Sequence, residues 1–267
     1  MESDQSTVRR LGALAGPAAV AFLIASLTLP SAACANGAPA ARAAADTSPP
    51  PAGDAAHADL RRRMVERQIA ERGVQDSAVL HAMRTVPRHR FVPEATPETA
   101  YSDTPYPIGH GQTISQPYIV AFMAEAADIQ PGDRVLEIGA GSGYGAAVLA
   151  ELSSEVYTIE IIPELAQRAR EVLAELGYDN VEVRTGNGWL GWPEHAPYDA
   201  VVVTAAPDEV PEALVDQLAV GGTLVVPVGE LRQSLRIIRK TEEGLEDESV
   251  LPVRFVPMVE EPADTAG

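Results

Sequence analysis

The feature that most constrains the fold is an alternation of two kinds of segment that begins after Asp133. Short apolar runs of strand length alternate with longer segments in which apolar residues recur at helical spacing. Because the short runs show little polar alternation, both of their faces should be buried, as in a parallel sheet covered by helices. The five runs are 134–139 (RVLEIG), 155–160 (EVYTIE), 181–185 (VEVRT), 198–205 (YDAVVVTA) and 222–229 (GTLVVPVG).

Helices are predicted between these strands, and two further strands are predicted after them. The helical segments are 143–152, 162–176 and 210–219, and the final strands are 234–240 (SLRIIRK) and 253–259 (VRFVPMV), joined by an acidic loop at 241–249. The predicted fold class is α/β: an open, doubly wound, mostly parallel sheet with helices on both faces. Ligands of such sheets bind beyond the carboxyl ends of the strands.

Before the sheet, the sequence predicts two helices and a long irregular segment. Helical spacing runs from Leu60 to Ile69 and ends at Gly73, and Asp76 can cap a second, shorter helix. Residues 87–115 are rich in Pro and Gly, and so long a loop in a compact domain is more often functional than idle. The segment is therefore a candidate part of the functional site.

The end of this segment is a small polar loop, IGHGQTISQP (108–117). Pro117 suits the first turn of the helix predicted at 117–129, and Ser115 or Gln116 can cap that helix. A helix cap is the simplest role for the loop. A functional role needs support from elsewhere in the chain.

Composition and charge narrow the classes of ligand. The formal charge is −18, which argues against a nucleic-acid partner because phosphate binding needs clustered Lys and Arg. The single cysteine, Cys34, excludes an internal disulfide and a cysteine metal site. The five histidines show no spacing typical of metal ligands, so no metal is expected; they are His57, His81, His89, His110 and His195.

The first 58 residues differ from the rest of the chain. Basic residues at 9 and 10 precede an uncharged apolar run at 11–29, and small residues follow, an order typical of a secretory signal. Ala33-Cys34-Ala35 fits a cleavage site, SAAC (31–34) resembles a lipoprotein box, and the apolar run is long enough for a membrane anchor. A mistaken start site is a further alternative, since a fully globular pattern begins at Met64.

We therefore divide the chain into four parts. Residues 1–35 are a signal, lipoprotein-like or membrane-anchor segment, 36–58 an Ala/Pro-rich linker, 59–260 the folded domain, and 261–267 a disordered tail. The N-terminal segment favours export or membrane tethering.

Three glycines lie between the first strand and its helix, in LEIGAGSGYG (136–145). The three residues, Gly139, Gly141 and Gly143, permit unusual backbone angles and a close approach of a ligand. A tight strand-to-helix turn would need one glycine rather than three at alternate positions. The dinucleotide-binding pattern G-x-G-x-x-G fails, because residue 144 is Tyr144.

Two carboxylates indicate which nucleoside ligand the loop would hold. Glu160 ends the second strand, at about the spacing where a carboxylate meets ribose hydroxyls in such folds. Glu137 lies just before the loop, where its charge would repel a pyrophosphate and attract an ammonium or a sulfonium. The charges therefore favour S-adenosylmethionine over a nicotinamide dinucleotide.

Several segments together resemble protein-L-isoaspartate O-methyltransferases. They are LEIGAGSGYG, VYTIE (156–160), GNGWLGWPEHAPYDAVVVTAAP (186–207), VGGTLVVPVG (220–229) and, most specifically, PIGHGQTISQPYIVAFM (107–123). The resemblance runs from about Met64 to Val259. It implies a seven-strand, Rossmann-like class I methyltransferase sheet over 59–260, S-adenosylmethionine as co-substrate without a metal, and methylation of isoaspartyl, and potentially D-aspartyl, residues. Such methylation starts the repair of damaged proteins.

The resemblance also implies a set of site residues. Ser115, in the TIS segment, is expected at the active site, with Thr113, Ile114 and Gln116 positioning the substrate. The predicted donor-binding residues are Gln112, Glu137, Gly139, Ala140, Gly141, Gly143, Glu160, Ile161, Asn187 and Gly188. Expected substrates are isoaspartyl proteins and peptides, preferentially unfolded, bound by a monomer; the family's usual compartment is the cytoplasm, where the donor is made.

Two departures from the family pattern stand out. The family usually has G-D-G where this chain has Gly186-Asn187-Gly188, so the charge near the adenine amino group is lost and donor affinity is expected to be reduced. The second departure is the N-terminal extension.

The chemistry expected at the polar loop needs no strong base. A peptide carboxylate, with a pKa of roughly 3.5 to 4, is already ionised at neutral pH. Neutral hydroxyls and amides can aim it without neutralising it, so Ser115 is predicted to position the substrate and not to act as a nucleophile. Exclusion of water from the site and alignment of the reacting oxygen, carbon and sulfur atoms supply the rest of the rate enhancement.

Five other residues are weaker candidates, for which the simpler roles are a solvated hairpin position for Gln233 and packing for the two tryptophans. Gln233 could touch the substrate, Trp189 and Trp192 could flank the adenine, and Tyr101 and Asp103 could belong to a lid.

Three alternative functions stay open at this level. The chain could be an exported or tethered protein that uses the same fold only to bind peptides. It could methylate another small acceptor, or, less consistently with the glycine spacing, it could be a nicotinamide oxidoreductase.

Overall fold

The computed structural model describes residues 52–260, with side chains from His57 onward. The signal-like segment 1–35, the linker up to residue 51 and the tail 261–267 therefore lie outside the described residues. Within 52–260 no helix has the length and apolar character needed to cross a membrane.

The first helix, α1 (Ala52–Arg63), begins inside the segment predicted as linker. That prediction is wrong for residues 52–58, because alanine in this part favours helix even where the composition resembles a linker. A π-helical turn (Met64–Ile69) and a 3₁₀ turn (Ala70–Arg72) continue the helix to Gly73, the predicted end, which has a φ of 104°.

The second predicted helix is α2 (Ser77–Thr85). Its cap is the predicted one: the Asp76 carboxylate accepts from the backbone N–H groups of Ala78 and Val79, at 2.7 and 3.0 Å.

Residues 87–115 are more regular than the predicted loop. They contain a 3₁₀ turn (Arg88–Phe91), the short helix α3 (Pro97–Ala100) and an antiparallel hairpin of β1 (Tyr106–Gly109) and β2 (Gln112–Ile114). The hairpin turn is formed by three consecutive residues at positive φ, Gly109, His110 and Gly111. Strands this short leave too little alternation to be read from sequence.

The helix after the hairpin, α4 (Pro117–Ala126), is capped from a distance. Gln116 occupies the N-cap position, but neither its side chain nor that of Ser115 accepts a helix N–H. Instead, Asp103 accepts from the N–H of Tyr118 at 2.9 Å. The predicted cap by Ser115 or Gln116 is therefore wrong.

The main sheet has seven strands, as predicted. They are β3 (Arg134–Ile138), β4 (Glu155–Glu160), β5 (Val181–Thr185), β6 (Tyr198–Val203), β7 (Leu218–Val228), β8 (Gln233–Thr241) and β9 (Gly244–Val253). Their order is β5-β4-β3-β6-β7-β8-β9, with the first five parallel and the last two antiparallel to their neighbours. The sheet helices are α5 (Tyr144–Leu152), α6 (Pro163–Glu175) and α7 (Glu212–Asp216).

The last strand differs from the prediction. The predicted strand 253–259 is irregular, and β9 instead runs through the acidic segment, paired with β8 across a tight turn that ends at Gly244 (φ 140°). Charged residues are tolerated there because β9 is an edge strand facing solvent, where Arg236 pairs with Asp247. Residues 254–260 instead return to the carboxyl edge of the sheet, where Met258 donates to the Ala206 carbonyl at 2.7 Å.

The core lies on both faces of the sheet. Alternate strand residues belong to different apolar clusters: Val135 packs with α4, α5 and α6, whereas Leu136 packs on the face of α7 and Trp192. The chain runs from β3 to β4 and β5 in one direction and then crosses to β6 on the other side. The carboxyl ends of β3 and β6 therefore form the topological switch point, where a doubly wound sheet binds its ligand.

Candidate active site

A cavity of about 680 Å³ lies at this switch point. It is bounded by the carboxyl ends of β3, β4 and β6, by the β1–β2 hairpin and by the returning segment 256–259. We call it the donor cavity; its lining residues are His110, Gln112, Thr113, Ile138, Gly139, Gly141, Ile159, Glu160, Ile161, Ile162, Pro163, Glu164, Gly188, Thr204, Ala205, Val256, Pro257, Met258 and Val259.

The glycine loop forms one wall of the donor cavity and is fixed from both sides. Gly139 donates to the Ile159 carbonyl at 2.8 Å, and the Thr204 hydroxyl donates to the carbonyls of Gly139 and Ile138, at 2.6 and 3.0 Å. Gly139 has a φ of 96°, and a Cβ at this position would lie 2.4 Å from Thr204 Oγ1. Glycine is therefore required there for two independent reasons.

Glu160 is the acidic group of the donor cavity. One carboxylate oxygen accepts from the Gly141 N–H at 2.7 Å, and the other accepts from the Ile162 N–H at 3.0 Å. Burial raises the pKa of Glu160, while these N–H groups oppose the shift. The remaining lone pairs of both oxygens can accept from the two hydroxyls of a ribose, as the sequence predicts.

Glu137 does not line the donor cavity. It is 1% exposed and accepts a hydrogen bond of 2.6 Å from the Thr158 hydroxyl. Its other oxygen lies against Gly145, where a Cβ would approach it to 2.2 Å. The predicted contact between Glu137 and the ligand is therefore wrong, because the side chain of this central strand is covered by the start of α5.

The buried Glu137 makes the pH dependence of stability testable. Burial, reinforced by the nearby Glu160, raises the pKa of Glu137 from 4.5 to about 8, although the Thr158 hydroxyl opposes the shift. The folded state thus holds an extra proton on Glu137 between these values, so the contribution of Glu137 to stability falls as pH rises from 4.5 to 8. Glu137→Gln should remove this dependence, a difference of up to about 4 kcal/mol between pH 5 and pH 8.

Urea unfolding of the wild type and Glu137→Gln at pH 5, 6.5 and 8 measures this effect. The variant should gain in relative stability at each step. Parallel pH profiles for the two proteins would contradict the assignment of the proton to Glu137.

Two other predicted donor-binding residues support the loop without lining the cavity. Ala140 is buried beneath the loop, where its N–H donates to the Ile159 carbonyl at 3.2 Å. Gly143 begins α5 at a φ of 88° and packs against α6, where a Cβ would lie 3.3 Å from that of Ala169. Neither residue lines the donor cavity, and Gly143 provides the turn and the close helix packing.

The residues predicted to lie near the adenine depart in part from the prediction. Gly188 lines the cavity, and a Cβ there would lie 2.4 Å from Ile138 Cγ2. Asn187 is not a lining residue; its side-chain oxygen accepts from the Trp189 N–H at 2.9 Å and caps a short 3₁₀ turn. Neither tryptophan lines the cavity, and Trp192 packs edge-on against Tyr157, with ring centroids 5.5 Å apart.

A second cavity of about 530 Å³ adjoins the first, and we call it the acceptor cavity. It is lined by Arg72, Pro105, Thr113, Ser115, Gln116, Tyr118, Ile119, Thr204, Leu251, Pro252, Val253, Arg254, Phe255 and Val256. Thr113, Thr204 and Val256 line both cavities. A group held in one cavity can therefore meet a group held in the other at this boundary.

The residues predicted to be catalytic, to position the substrate or to bind the donor are divided between the two cavities. Thr113, Ser115 and Gln116 line the acceptor cavity, and Gln112 and Ile161 line the donor cavity as predicted. Ile114 is 5% exposed and belongs to the core, so its predicted contact with substrate is wrong. It alternates with its neighbours along β2 and thus faces the opposite way.

The hydroxyl of Ser115 is available to a ligand. Within residues 57–260 it makes no hydrogen bond, while the Ser115 carbonyl accepts from Arg88 Nη2 at 2.8 Å. The Gln116 amide donates to Asp103 at 3.2 Å. The backbone of the polar loop is therefore held in place while the serine hydroxyl stays free.

Three weaker candidates have structural roles. Tyr101 is buried and its hydroxyl lies 2.7 Å from His89 Nδ1, and Asp103 caps α4 and pairs with Arg72, so neither forms a lid. Gln233 lies outside both cavities and is bonded to the backbone of Phe255.

Among the described side chains, no cluster of three or more His, Cys, Asp or Glu residues has the arrangement of a metal site.

Comparison with known proteins shows which family has this arrangement. The model of the protein-L-isoaspartate (D-aspartate) O-methyltransferase family matches residues 59–263. The chain belongs to this family. The protein-L-isoaspartate O-methyltransferase of Gloeobacter violaceus is 58% identical over 200 residues, which cover 74% of this chain and 98% of that protein. Protein-L-isoaspartate O-methyltransferase 2 of Anaeromyxobacter is 55% identical over 218 residues, 81% of this chain and 90% of that one.

Two solved structures agree with this assignment. A protein-L-isoaspartate O-methyltransferase matches with a TM-score of 0.69 and 32% identity, over 76% of this chain and 67% of its own. A beta-aspartate methyltransferase from Plasmodium falciparum, in complex with S-adenosyl-L-homocysteine, matches with a TM-score of 0.66 and 29% identity, over 75% and 99% of the two chains. The predicted class I methyltransferase fold is therefore confirmed.

Several lining residues of this family member were not predicted. Thr204 follows β6, and its position at the end of a strand beside the switch point is a signal that sequence reasoning could have used. No comparable position in the sequence indicates His110, Arg72 or the returning segment 254–259, because their place at the site depends on long-range packing.

Proposed function

We propose that the chain transfers a methyl group from S-adenosylmethionine, held in the donor cavity, to the free carboxylate of L-isoaspartyl residues held in the acceptor cavity. Methyltransferase activity and a role in protein repair follow from membership of the family. The observation that carries the residue assignment is the boundary at Thr113, Thr204 and Val256, where the two cavities meet beside the free Ser115 hydroxyl. D-aspartyl residues present a similarly displaced carboxylate and are proposed as a second substrate.

The residues of the donor cavity fit an S-adenosylmethionine molecule. Glu160 would accept from the ribose hydroxyls, and Gly139 and Gly188, which carry no side chain, let the backbone itself line the cavity. When bound, the co-substrate supplies an electrophilic methyl group on a sulfonium. Because Asn187 already caps a turn and carries no charge, it would contribute less to adenine binding than the aspartate usual in the family.

The acceptor cavity performs its part without a base. The substrate carboxylate is ionised at neutral pH, and its negative charge disappears as the bond to the methyl group forms. Ser115 and Thr113 donate hydrogen bonds that orient the carboxylate, and exclusion of water favours the charge-neutralising step. Alignment of oxygen, carbon and sulfur is the main requirement, and positioning of this kind is worth several kcal/mol.

Ser115→Ala tests the role of the hydroxyl. We expect kcat/KM for an isoaspartyl peptide to fall about 10- to 100-fold, the effect of losing one hydrogen bond to a charged group, while the dissociation constant for S-adenosylmethionine stays within about twofold. Steady-state kinetics and calorimetry give the two values. Full activity of Ser115→Ala would refute the assignment.

The reaction itself is tested with the full-length chain, labelled donor and two peptides that differ only in an aspartyl or isoaspartyl linkage. Label on the isoaspartyl peptide alone supports the proposed function. Peptide binding without donor binding would instead support a non-catalytic peptide-binding protein, and label on neither peptide with donor binding intact would point to another acceptor.

The proposal extends to substrate form and location. We propose that substrates are preferentially unfolded, since an isoaspartyl carboxylate must leave its own fold to reach the acceptor cavity, and that the enzyme acts as a monomer. The signal-like residues 1–35 support export or membrane tethering, although the donor is made in the cytoplasm. Fractionation of cells that express the chain with a C-terminal tag tests the compartment.

A further inference from the structure

Arg88 is a buried cation that the reaction described above does not use. It is 1% exposed, and no carboxylate among the described residues lies within ion-pair distance of it. Burial lowers the pKa of its guanidinium. Tyr144 gives partial compensation, with its ring centroid 4.7 Å from the Arg88 Cζ atom.

The guanidinium makes two hydrogen bonds, both to backbone carbonyls. Nε donates to Ala100 and Nη2 donates to Ser115, each at 2.8 Å. Nη1 is buried with no partner. A neutral side chain of similar volume would avoid the cost of burying this charge, so packing alone does not explain an arginine here.

The contact with Ser115 places Arg88 directly behind the acceptor cavity. Asp103 holds the next residues of the same loop, through the Gln116 amide and the Tyr118 N–H. Arg88 is the group that fixes the peptide unit of Ser115 itself. The orientation of this peptide unit helps to fix the Cα–Cβ bond of Ser115, from which the hydroxyl extends.

We propose that Arg88 is a positioning residue for methyl transfer, which acts through the Ser115 carbonyl to hold the Ser115 hydroxyl in the orientation that receives the substrate carboxylate. This inference rests on the proposed function. Arg88 lines neither cavity, and of the three residues it contacts, Ala100, Ser115 and Tyr144, only Ser115 lines one. Loss of Arg88 should therefore affect the acceptor side and spare the donor side.

The alternative is that Arg88 only stabilises the fold. A double-mutant cycle with Ser115 separates the two roles, because residues that act through one another are not additive. The cycle compares the wild type, Arg88→Met, Ser115→Ala and the double variant. Arg88→Lys keeps the charge and can still donate to a carbonyl. Arg90→Met is the matched control, since Arg90 is exposed and pairs with Glu175 at the surface.

For each full-length variant, kcat and KM for an isoaspartyl peptide are measured at a temperature where calorimetry shows it folded, together with the dissociation constant for S-adenosylmethionine. We expect Arg88→Met to lower kcat/KM about 10- to 50-fold with the donor constant within about threefold, since small misplacements of a positioning group have effects of this order. Arg88→Lys should recover part of the loss, and Arg90→Met should match the wild type.

In the double variant, kcat/KM should equal that of Ser115→Ala within about threefold. The inference would be overturned if the fold-losses in kcat/KM of the two single variants multiplied in the double variant. It would also be overturned if Arg88→Met weakened donor binding as much as it lowered kcat/KM for the peptide. If Arg88→Met does not fold, the same cycle is read with Arg88→Lys. A wild type that fails to methylate the peptide would overturn the proposed function instead, so the two failures are distinct.

Discussion

Glu160→Ala is expected to raise the dissociation constant for S-adenosylmethionine about 1000-fold while the protein stays folded. The carboxylate would accept from two ribose hydroxyls, and hydrogen bonds to a charged group contribute about 1.5 to 3 kcal/mol each. The sum of about 4 kcal/mol corresponds to three orders of magnitude. The substitution also releases the N–H of Gly141, which the carboxylate holds at 2.7 Å, so the glycine loop loses an anchor as well.

Glutamine should not rescue this variant, although it has nearly the same shape. Each oxygen of Glu160 accepts a backbone N–H, from Gly141 on one side and Ile162 on the other. An amide must place its NH₂ group against one of these two donors, where it cannot accept. Glu160→Gln should therefore weaken donor binding nearly as much as Glu160→Ala does.

Glu155→Ala is the control, because it removes a carboxylate from the opposite end of the same strand. Glu155 forms a half-exposed ion pair of 2.9 Å with Arg134, and its loss should cost at most about 1 kcal/mol of stability without affecting donor binding. Isothermal titration calorimetry with S-adenosylmethionine measures all three variants. A Glu160→Ala protein that binds the donor within tenfold of the wild type would remove Glu160 from the site.

The contrast between Glu160 and Glu137 shows what the sequence predicts and where it stops. Both carboxylates were predicted to meet the ligand, and both lie near the carboxyl ends of neighbouring strands. Glu160 is the last residue of β4, so its side chain reaches the cavity. Glu137 precedes the end of β3 and is covered by α5, so it is buried and bonded to Thr158. A difference of one position relative to the end of the strand therefore separates the carboxylate that reaches the cavity from the one that is buried.

The strands of the sheet were predicted well because apolar content and strand length are local properties. The errors lie where distant residues supply what a segment lacks. Asp103 caps α4 across 15 residues of chain, which left Ser115 free of the capping role that local rules assign to it. The error at β9 has a different cause: its charged residues lack the apolar pattern of a buried strand, and they form a strand because the neighbouring β8 offers an edge for pairing.

Gly139→Ala is expected to reduce donor binding at least 100-fold and to abolish methyl transfer under standard assay conditions. The new Cβ would lie 2.4 Å from Thr204 Oγ1, a separation that real Cβ atoms do not adopt. Either Thr204 or the loop must move, and movement breaks the hydrogen bonds from the Thr204 hydroxyl to the carbonyls of Gly139 and Ile138. The φ of 96° adds backbone strain of about 1 to 2 kcal/mol.

The strain and the clash can be separated with Gly73→Ala. Gly73 has a similar φ of 104°, but a Cβ there has no neighbour within 4 Å. This control should lose about 1 to 2 kcal/mol of stability, measured by urea unfolding, and keep its affinity for the donor. Equal effects of the two substitutions on donor binding would show that φ strain alone disables the loop.

A second substitution can test whether Thr204 is the group in the way. Thr204→Ala removes the Oγ1 atom, and the next nearest atom to the new Cβ would then be Thr204 Cβ at 3.7 Å, an ordinary contact. Gly139→Ala/Thr204→Ala should therefore recover part of the donor affinity that Gly139→Ala loses, although the Gly139 carbonyl regains no donor and the Ile138 carbonyl keeps only the backbone N–H of Thr204, at 2.8 Å. In the same Gly139→Ala background, Thr204→Ser keeps the hydroxyl oxygen and should recover none of the lost donor affinity. If Gly139→Ala/Thr204→Ser recovers as much donor affinity as Gly139→Ala/Thr204→Ala, the obstruction is not the Thr204 hydroxyl, and the glycine is required by the ligand rather than by Thr204.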